Sequence, residues 1–185
     1  MPLLALTAVV FNGSFERKEI RLLVTALLFG CVGDIFLLSD DFLLFVSGMV
    51  AFLVGHIFYM VLFGGKSWKG LTLKTWIPTL LVMAVLVAIL IKVIGVSGAL
   101  LVPIIVYGMA LMMIIFFGLA GVVRFKTGTW WLILCGTVLF TFSDSMIAVG
   151  KFVGEFPGRG FIVMLTYITA QSLLATGAIR LTKEN

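Results

Sequence analysis

Long apolar segments, separated by short polar loops, are the feature that most constrains what this chain can fold into. They cover residues 2–11, 18–38, 42–64, 74–94, 99–122, 130–149 and 160–181. An α-helix needs about 20 residues to cross roughly 30 Å of hydrocarbon, and all but the first segment reach that length. We therefore predict an all-α protein, a polytopic transmembrane helix bundle with about seven spans.

Composition places the chain outside the class of soluble proteins. Hydrophobic residues make up 62% of its 185 residues and charged residues only 11%, whereas a soluble domain carries about 25% charged residues. We expect one integral membrane domain over residues 1–185. The net charge of +5 does not indicate a nucleic-acid partner, because the basic residues are scattered through loops and do not alternate with aromatic residues.

The basic residues predict the orientation of the spans, since loops rich in Lys and Arg stay in the cytoplasm. One side of the predicted bundle holds ten: Arg17, Lys18, Arg21, Lys66, Lys69, Lys74, Arg124, Lys126, Arg180 and Lys183. The other side holds three: Lys92, Lys151 and Arg159. We therefore expect a multi-pass protein, of a bacterial cytoplasmic membrane, with its C-terminus in the cytoplasm. Residues 2–11 would reach only about 15 Å as a helix, so the chain is expected to begin within a helix, without a cleavable signal peptide.

Two carboxylates interrupt the apolar segments. Asp34 lies near the end of the segment 18–38, and Asp144 lies near the end of 130–149. A charged side chain within a span costs roughly 2.5–3.5 kcal/mol on insertion scales, so it is rare without a partner, a cavity or a function. Both helices run in the same direction, which places both carboxylates roughly 6–9 Å inside the non-cytoplasmic boundary. We expect that they face one another.

Other polar side chains are predicted to face the same interior. They are His56 and Tyr59 on 42–64, Tyr107 on 99–122, and Tyr167 with Gln171 on 160–181. Gly30, one turn before Asp34, would allow another backbone or a substrate chain to approach. No zinc site is expected, because one histidine and two separated carboxylates fall short of the usual three protein ligands. We also expect no cofactor.

A structural interpretation stands beside the functional one. Asp34 and Asp144 could each bond a hydroxyl or a histidine and hold helices together, at about 0.6 kcal/mol per hydrogen bond. His56 could likewise serve as a hydrogen-bonded core residue. Asp40 and Asp41 are expected to be solvated residues at a helix end.

Several short motifs, in this order and spacing, resemble the YhhN-like family of membrane proteins, whose animal members are lysoplasmalogenases. The matching residues are Gly33-Asp34 before Ile35-Phe36-Leu37, Phe52 with His56 and Tyr59, Pro103 with Tyr107, Ser143-Asp144-Ser145 with Lys151, and Thr166-Tyr167 with Gln171. The family usually has eight spans, so the resemblance implies that the first is missing here. It also implies hydrolysis of the vinyl-ether bond of a lysoplasmalogen, a lysophospholipid substrate, to a fatty aldehyde and a glycerophospho-base.

Vinyl-ether hydrolysis requires an acid that protonates the β-carbon and a base or stabiliser for the oxocarbenium ion and the water. A carboxyl removed from water favours its protonated form, and two carboxyls divide such roles at glycosidic bonds. We interpret Asp34 and Asp144 as this catalytic pair, with the roles open and Asp144 preferred as the acid. Orienting or binding roles are assigned to His56, Tyr59, Tyr107, Ser143, Tyr167 and Gln171.

Two other hypotheses remain open. A lipid or small-molecule transporter could use Asp34 and Asp144 as an intramembrane proton relay, and a weak similarity between segments four spans apart favours it. The glycines and prolines cluster at segment ends, however, whereas many transporters have helices broken midway. A structural scaffold would need neither carboxylate for chemistry.

Overall fold

A computed structural model describes residues 17–68 and 101–184, with scattered positions between 76 and 95. The described residues form five helices and no strand. The helices are α1 (Lys18–Phe36), α2 (Phe42–Ser67), α3 (Leu101–Phe125), α4 (Gly128–Phe152) and α5 (Arg159–Lys183). Each coincides with one of the predicted segments, and no end differs by more than three residues. The prediction of an all-helical protein is therefore confirmed for the described residues.

The prediction of about seven spans is not matched. Four of the described helices, α2 to α5, are long and apolar enough to cross a membrane. Helix α1 has 19 residues and carries four charged residues, Lys18, Glu19, Arg21 and Asp34, whereas charged side chains are rare within a membrane span. The predicted segment 2–11 lies outside the described residues, and the segment 74–94 is described only at scattered positions.

The helices pack in a ring, in which each contacts the next along the described chain and α1 closes the ring against α5. Helix α1 approaches α2 closely because glycines line the contact. A Cβ added at Gly55 would lie 3.2 Å from the Ala26 carbonyl oxygen, and one added at Gly48 would lie 3.3 Å from the Gly33 carbonyl oxygen. Small residues at helix contacts in membranes permit such close packing.

The two ends of the bundle are held differently. Where α5 ends, Arg17 Nη1 donates to the Thr182 carbonyl at 2.7 Å and Lys66 Nζ donates to the Leu181 carbonyl at 2.9 Å. At the opposite end, Asp41 caps α2: its Oδ1 accepts from the backbone N–H groups of Leu43 and Leu44 at 2.8 and 3.0 Å. The expectation that Asp41 is merely solvated was wrong, because its position just before α2 lets it satisfy unpaired amides.

Candidate active site

Asp144 lies on the last part of α4, and its side chain is almost completely buried. Its two oxygens have different surroundings. Tyr107 of α3 donates its hydroxyl to Oδ2, and His56 Nε2 lies 3.9 Å from the same oxygen. Oδ1 is buried and has no hydrogen-bond partner among the described residues. One oxygen is therefore held by a hydrogen bond, whereas the other has none among the described residues.

The orientation of His56 defines which of its nitrogens can accept a proton. Nδ1 lies 2.6 Å from the Phe52 carbonyl oxygen, which can only accept, so Nδ1 carries the hydrogen. In the neutral ring Nε2 then presents a lone pair, and it is buried without a partner among the described groups. A neutral ring in this position places no positive charge beside Asp144 and therefore does not favour the ionised carboxylate.

Asp34 lies on the last turn of α1 and is less enclosed than Asp144. Tyr167 of α5 donates its hydroxyl to Asp34 Oδ2 at 3.3 Å. The Tyr167 hydroxyl also passes close to α1, since a Cβ added at Gly30 would lie 3.1 Å from it and 3.5 Å from Gln171 Nε2. Close approach does occur at Gly30, but the groups that approach it are the side chains of Tyr167 and Gln171 and not another backbone.

The two carboxylates line two adjoining cavities. The cavity beside Asp144 has a volume of about 40 Å³, and apart from Asp144, Tyr107 and Ser145 its walls are apolar. The cavity beside Asp34 and Tyr167 measures about 590 Å³ and has charged residues on its rim. Both cavities share four wall residues: Leu37, Phe45, Phe52 and Ile147. Each carboxylate bonds its own tyrosine, and within the described residues no hydrogen bond joins the two, so they flank a shared wall.

The other predicted site residues lie at different distances from the two carboxylates. Tyr59 donates to Gln171 Oε1 at 2.6 Å, and both side chains are fully buried between α2 and α5. This pair adjoins Tyr167 but contacts neither carboxylate. Ser143 donates to the Val163 carbonyl at 3.1 Å. Ser143 therefore joins α4 to α5 and points away from the acids.

Phe52 belongs to the site, although the sequence motif alone assigned it no role. Its ring meets Tyr167 and Phe140 edge to face, with centroids 6.0 and 6.4 Å apart. A Cβ added at Gly33 would lie only 2.9 Å from three atoms of this ring. Its spacing four residues before His56 was the available signal, because residues four apart lie on one helix face.

Two basic residues at the rim were also missed. Lys151 and Arg159 line the larger cavity. Both were counted among the charges per side, and Lys151 is also one of the residues that carry the family resemblance, but neither was predicted to be a site residue. Among the described residues, no three His, Cys, Asp or Glu side chains come together as a metal site. The groups present can hold or move protons through carboxyl, phenol and imidazole.

Comparison with known proteins shows to which family the chain belongs. The chain matches the YhhN family over residues 1–178. It belongs to that family. Among curated relatives of this YhhN-family chain, lysoplasmalogenase TMEM86B of Mus musculus is 31% identical over 180 residues, covering 97% of this chain and 73% of the relative. Lysoplasmalogenase TMEM86A of Homo sapiens is 35% identical over 181 residues, covering 86% and 69%. No solved structure matches the chain.

Proposed function

We propose that this YhhN-family protein is a membrane hydrolase of the lysoplasmalogenase type. It cleaves the vinyl-ether bond of a lysoplasmalogen with water, and releases a fatty aldehyde and a glycerophospho-base. The observation that carries the proposal is the pair of carboxyls, Asp34 and Asp144, in adjoining cavities of different polarity. The relatives named lysoplasmalogenase support the same reaction.

The two cavities differ in size and polarity, as the two sides of the ether bond require. The glycerophospho end occupies the larger cavity, whose rim is charged. The cavity beside Asp144, about 40 Å³, has room only for the carbons next to the ether oxygen, and the apolar faces between helices hold the rest of the alkenyl chain. In this pose the β-carbon of the vinyl ether, which belongs to the chain, lies on the Asp144 side, and the ether oxygen lies on the Asp34 side.

The division of chemistry follows from this pose. Asp144 donates a proton from Oδ1 to the β-carbon, while Tyr107 holds Oδ2 and His56 positions the carboxyl. The α-carbon becomes an oxocarbenium ion, and Asp34 accepts a proton from the water that attacks it. The resulting hemiacetal breaks its bond to the glycerol oxygen, which takes the proton held by Asp34, while the hemiacetal hydroxyl gives its proton to Asp144 as it becomes the aldehyde, so both carboxyls return to their starting states. Positioned proton transfer of this kind contributes about 10²–10⁴ to a rate.

The test is aldehyde release from a vinyl-ether lysophosphatidylethanolamine by purified Asp34→Asn and Asp144→Asn variants. We expect kcat to fall at least about 100-fold in each, because each loses one proton-transfer step. Glu19→Gln is the matched control, since it removes a carboxylate from the other end of α1. A folded variant that hydrolyses at a near-normal rate excludes the catalytic role of that aspartate.

The same preparation separates the alternatives. Proton-coupled lipid uptake into proteoliposomes, without product, would identify a transporter that uses the two aspartates as a relay. Effects of both substitutions on the melting temperature alone would identify a structural role. The hydrolase hypothesis instead requires product from wild-type protein in detergent, where no membrane separates two compartments.

A further inference from the structure

The rim of the larger cavity carries four charged side chains that the proposed reaction does not use. They are Asp40, Lys151, Glu155 and Arg159. All lie at the end of the bundle where α1 and α4 finish and α5 begins. A lipid whose chain enters the cavity would place its headgroup among them.

Two of the four charges neutralise each other. Arg159 Nε donates to Glu155 Oε2 at 2.6 Å, and Arg159 Nη2 donates to Glu155 Oε1 at 2.5 Å. Paired, planar contacts of this type are the strong form of the Arg–carboxylate interaction. The Arg159–Glu155 pair therefore forms one wall of the rim and leaves little net charge.

Lys151 and Asp40 are the charges that remain. Lys151 Nζ donates to the Asp40 carbonyl oxygen at 3.3 Å and lies 5.2 Å from the centre of the Phe45 ring. These contacts hold the lysine at the rim without neutralising it, because neither partner is a carboxylate. Within the described residues, no ion pair involves Lys151 or the Asp40 carboxylate. The rim thus presents one unpaired cation near one unpaired anion.

This pattern complements a ligand that itself carries both charges. A simple anion would be attracted by Lys151 and repelled by Asp40, and a simple cation would meet the reverse. We propose that Lys151 and Asp40 form the subsite for a zwitterionic phosphodiester headgroup, in which Lys151 binds the phosphate and Asp40 binds the amine. The inference rests on the proposed function for its lipid and its headgroup, and it adds the two residues that bind that headgroup.

Binding of saturated ether analogues tests the subsite without any chemistry, since they lack the vinyl double bond. The ligands are a 1-O-alkylglycerol, its 3-phosphate and its 3-phosphoethanolamine, titrated into protein in maltoside micelles by calorimetry. We expect wild-type protein to bind the phosphoethanolamine at least about tenfold more tightly than the alkylglycerol, because charge-assisted hydrogen bonds are the stronger class.

The variants separate the two charges. Lys151→Gln should lower the affinity for both phosphorylated ligands about tenfold and leave the affinity for the alkylglycerol unchanged. Asp40→Asn should lower the affinity for the phosphoethanolamine ligand but not for the simple phosphate. The loss should be only about threefold, because exposed charge pairs are weak. Lys18→Gln is the matched control: it removes an exposed lysine at the other end of α1 and should change none of the three.

Three results would contradict the proposed subsite. The first is equal affinity of the wild-type protein for all three ligands, and the second is an equal loss of affinity for all three in Lys151→Gln. The third is displacement of the phosphoethanolamine ligand by millimolar inorganic phosphate, which would indicate a site for a free anion. The outcome does not depend on catalysis. A protein with the expected binding pattern but no activity on any vinyl ether retains the subsite and refutes the proposed reaction.

Discussion

Asp144 and Asp34 differ in what surrounds each oxygen. Asp144 Oδ2 receives the Tyr107 hydroxyl and faces His56, whereas its Oδ1 is buried and unpartnered among the described groups. Among the described residues, Asp34 hydrogen-bonds Tyr167 alone, and it lines the larger cavity. A carboxyl that transfers a proton to carbon must have that proton free of a hydrogen bond, and Asp144 Oδ1 meets this condition.

Deuterium incorporation tests whether the reaction begins by protonation of the β-carbon. In heavy water the proposed reaction should place one deuterium on the carbon next to the aldehyde carbonyl, because that carbon is the former β-carbon. The product would be trapped by rapid reduction to the alcohol and read by mass spectrometry. An alcohol without deuterium, formed from enzymatic turnover, would contradict protonation at the β-carbon.

Removing the hydroxyl of Tyr107 or of Tyr59 distinguishes a role in catalysis from a role in stability. Tyr107→Phe removes the donor to Asp144 Oδ2, so we expect kcat for aldehyde release to fall about tenfold or more. Tyr59→Phe leaves Gln171 Oε1 buried without that donor, so the free energy of unfolding should fall by about 1–3 kcal/mol, with kcat nearly kept.

The measurement for both variants is kcat per folded protein beside the thermal unfolding midpoint in one detergent. If Tyr59→Phe lowered kcat as much as Tyr107→Phe while remaining equally stable, the Tyr59–Gln171 pair would belong to the reacting site.

At the scale of elements, the contact of α1 with α2 positions Asp34. Gly55 brings the two backbones together at Ala26, and Gly33 receives the ring of Phe52. The glycine before Asp34 thus has a packing reason: a larger residue would displace the ring that forms the wall between the two cavities.

Gly55→Ala tests the backbone contact, and Gly65→Ala on the same helix is its control. The new Cβ at position 55 would lie 3.2 Å from the Ala26 carbonyl, whereas the one at position 65 meets nothing within 4 Å. Alanine usually stabilises a helix over glycine by about 0.5–1 kcal/mol. We expect Gly65→Ala to raise the unfolding temperature and Gly55→Ala to lower it. Equal increases in the unfolding temperature of both variants would show that α1 can move away from α2 at little cost.

Gly33→Ala tests the wall between the cavities. The added Cβ would lie 2.9 Å from the Phe52 ring, and that ring is confined by Phe140 and Tyr167. We expect aldehyde release to fall about tenfold or more in protein that still unfolds cooperatively, since relief requires moving the ring toward a cavity. Wild-type activity in the folded variant would show that the Phe52 position is not critical.

At the scale of the whole molecule, the orientation in the membrane is testable. The distribution of basic residues predicts that the C-terminus is cytoplasmic and that the α4–α5 loop is outside. In a variant carrying Cys31→Ser and Cys135→Ser, a cysteine at Val153 should react with an impermeant maleimide in intact cells. A cysteine at Lys183 should react only after permeabilisation. The reverse pattern would invert the proposed orientation and place the active-site cavities on the cytoplasmic side.

The candidate site could be predicted in part. Asp34 and Asp144 were identifiable because a carboxylate within an apolar segment is energetically costly and therefore rare without a partner or a function. Gly30 was identifiable because a small residue one turn before Asp34 permits close approach of another group. Ser143 was grouped with the site because it precedes Asp144, yet it bonds a carbonyl of α5. Neighbours in sequence point to different faces of a helix, so adjacency to Asp144 did not indicate a shared role.

The sequence by itself determined that the chain is helical and apolar, where each described helix begins and ends, and which carboxylates are unusual. These properties depend on local composition and on helix period, both of which can be read along the chain. Only the tertiary structure decided which tyrosine bonds which carboxylate, that Phe52 divides two cavities, and that Lys151 stands at a rim with Asp40. Those contacts join residues more than 30 positions apart, and they follow from how the helices rotate and pack against one another, which no single segment specifies.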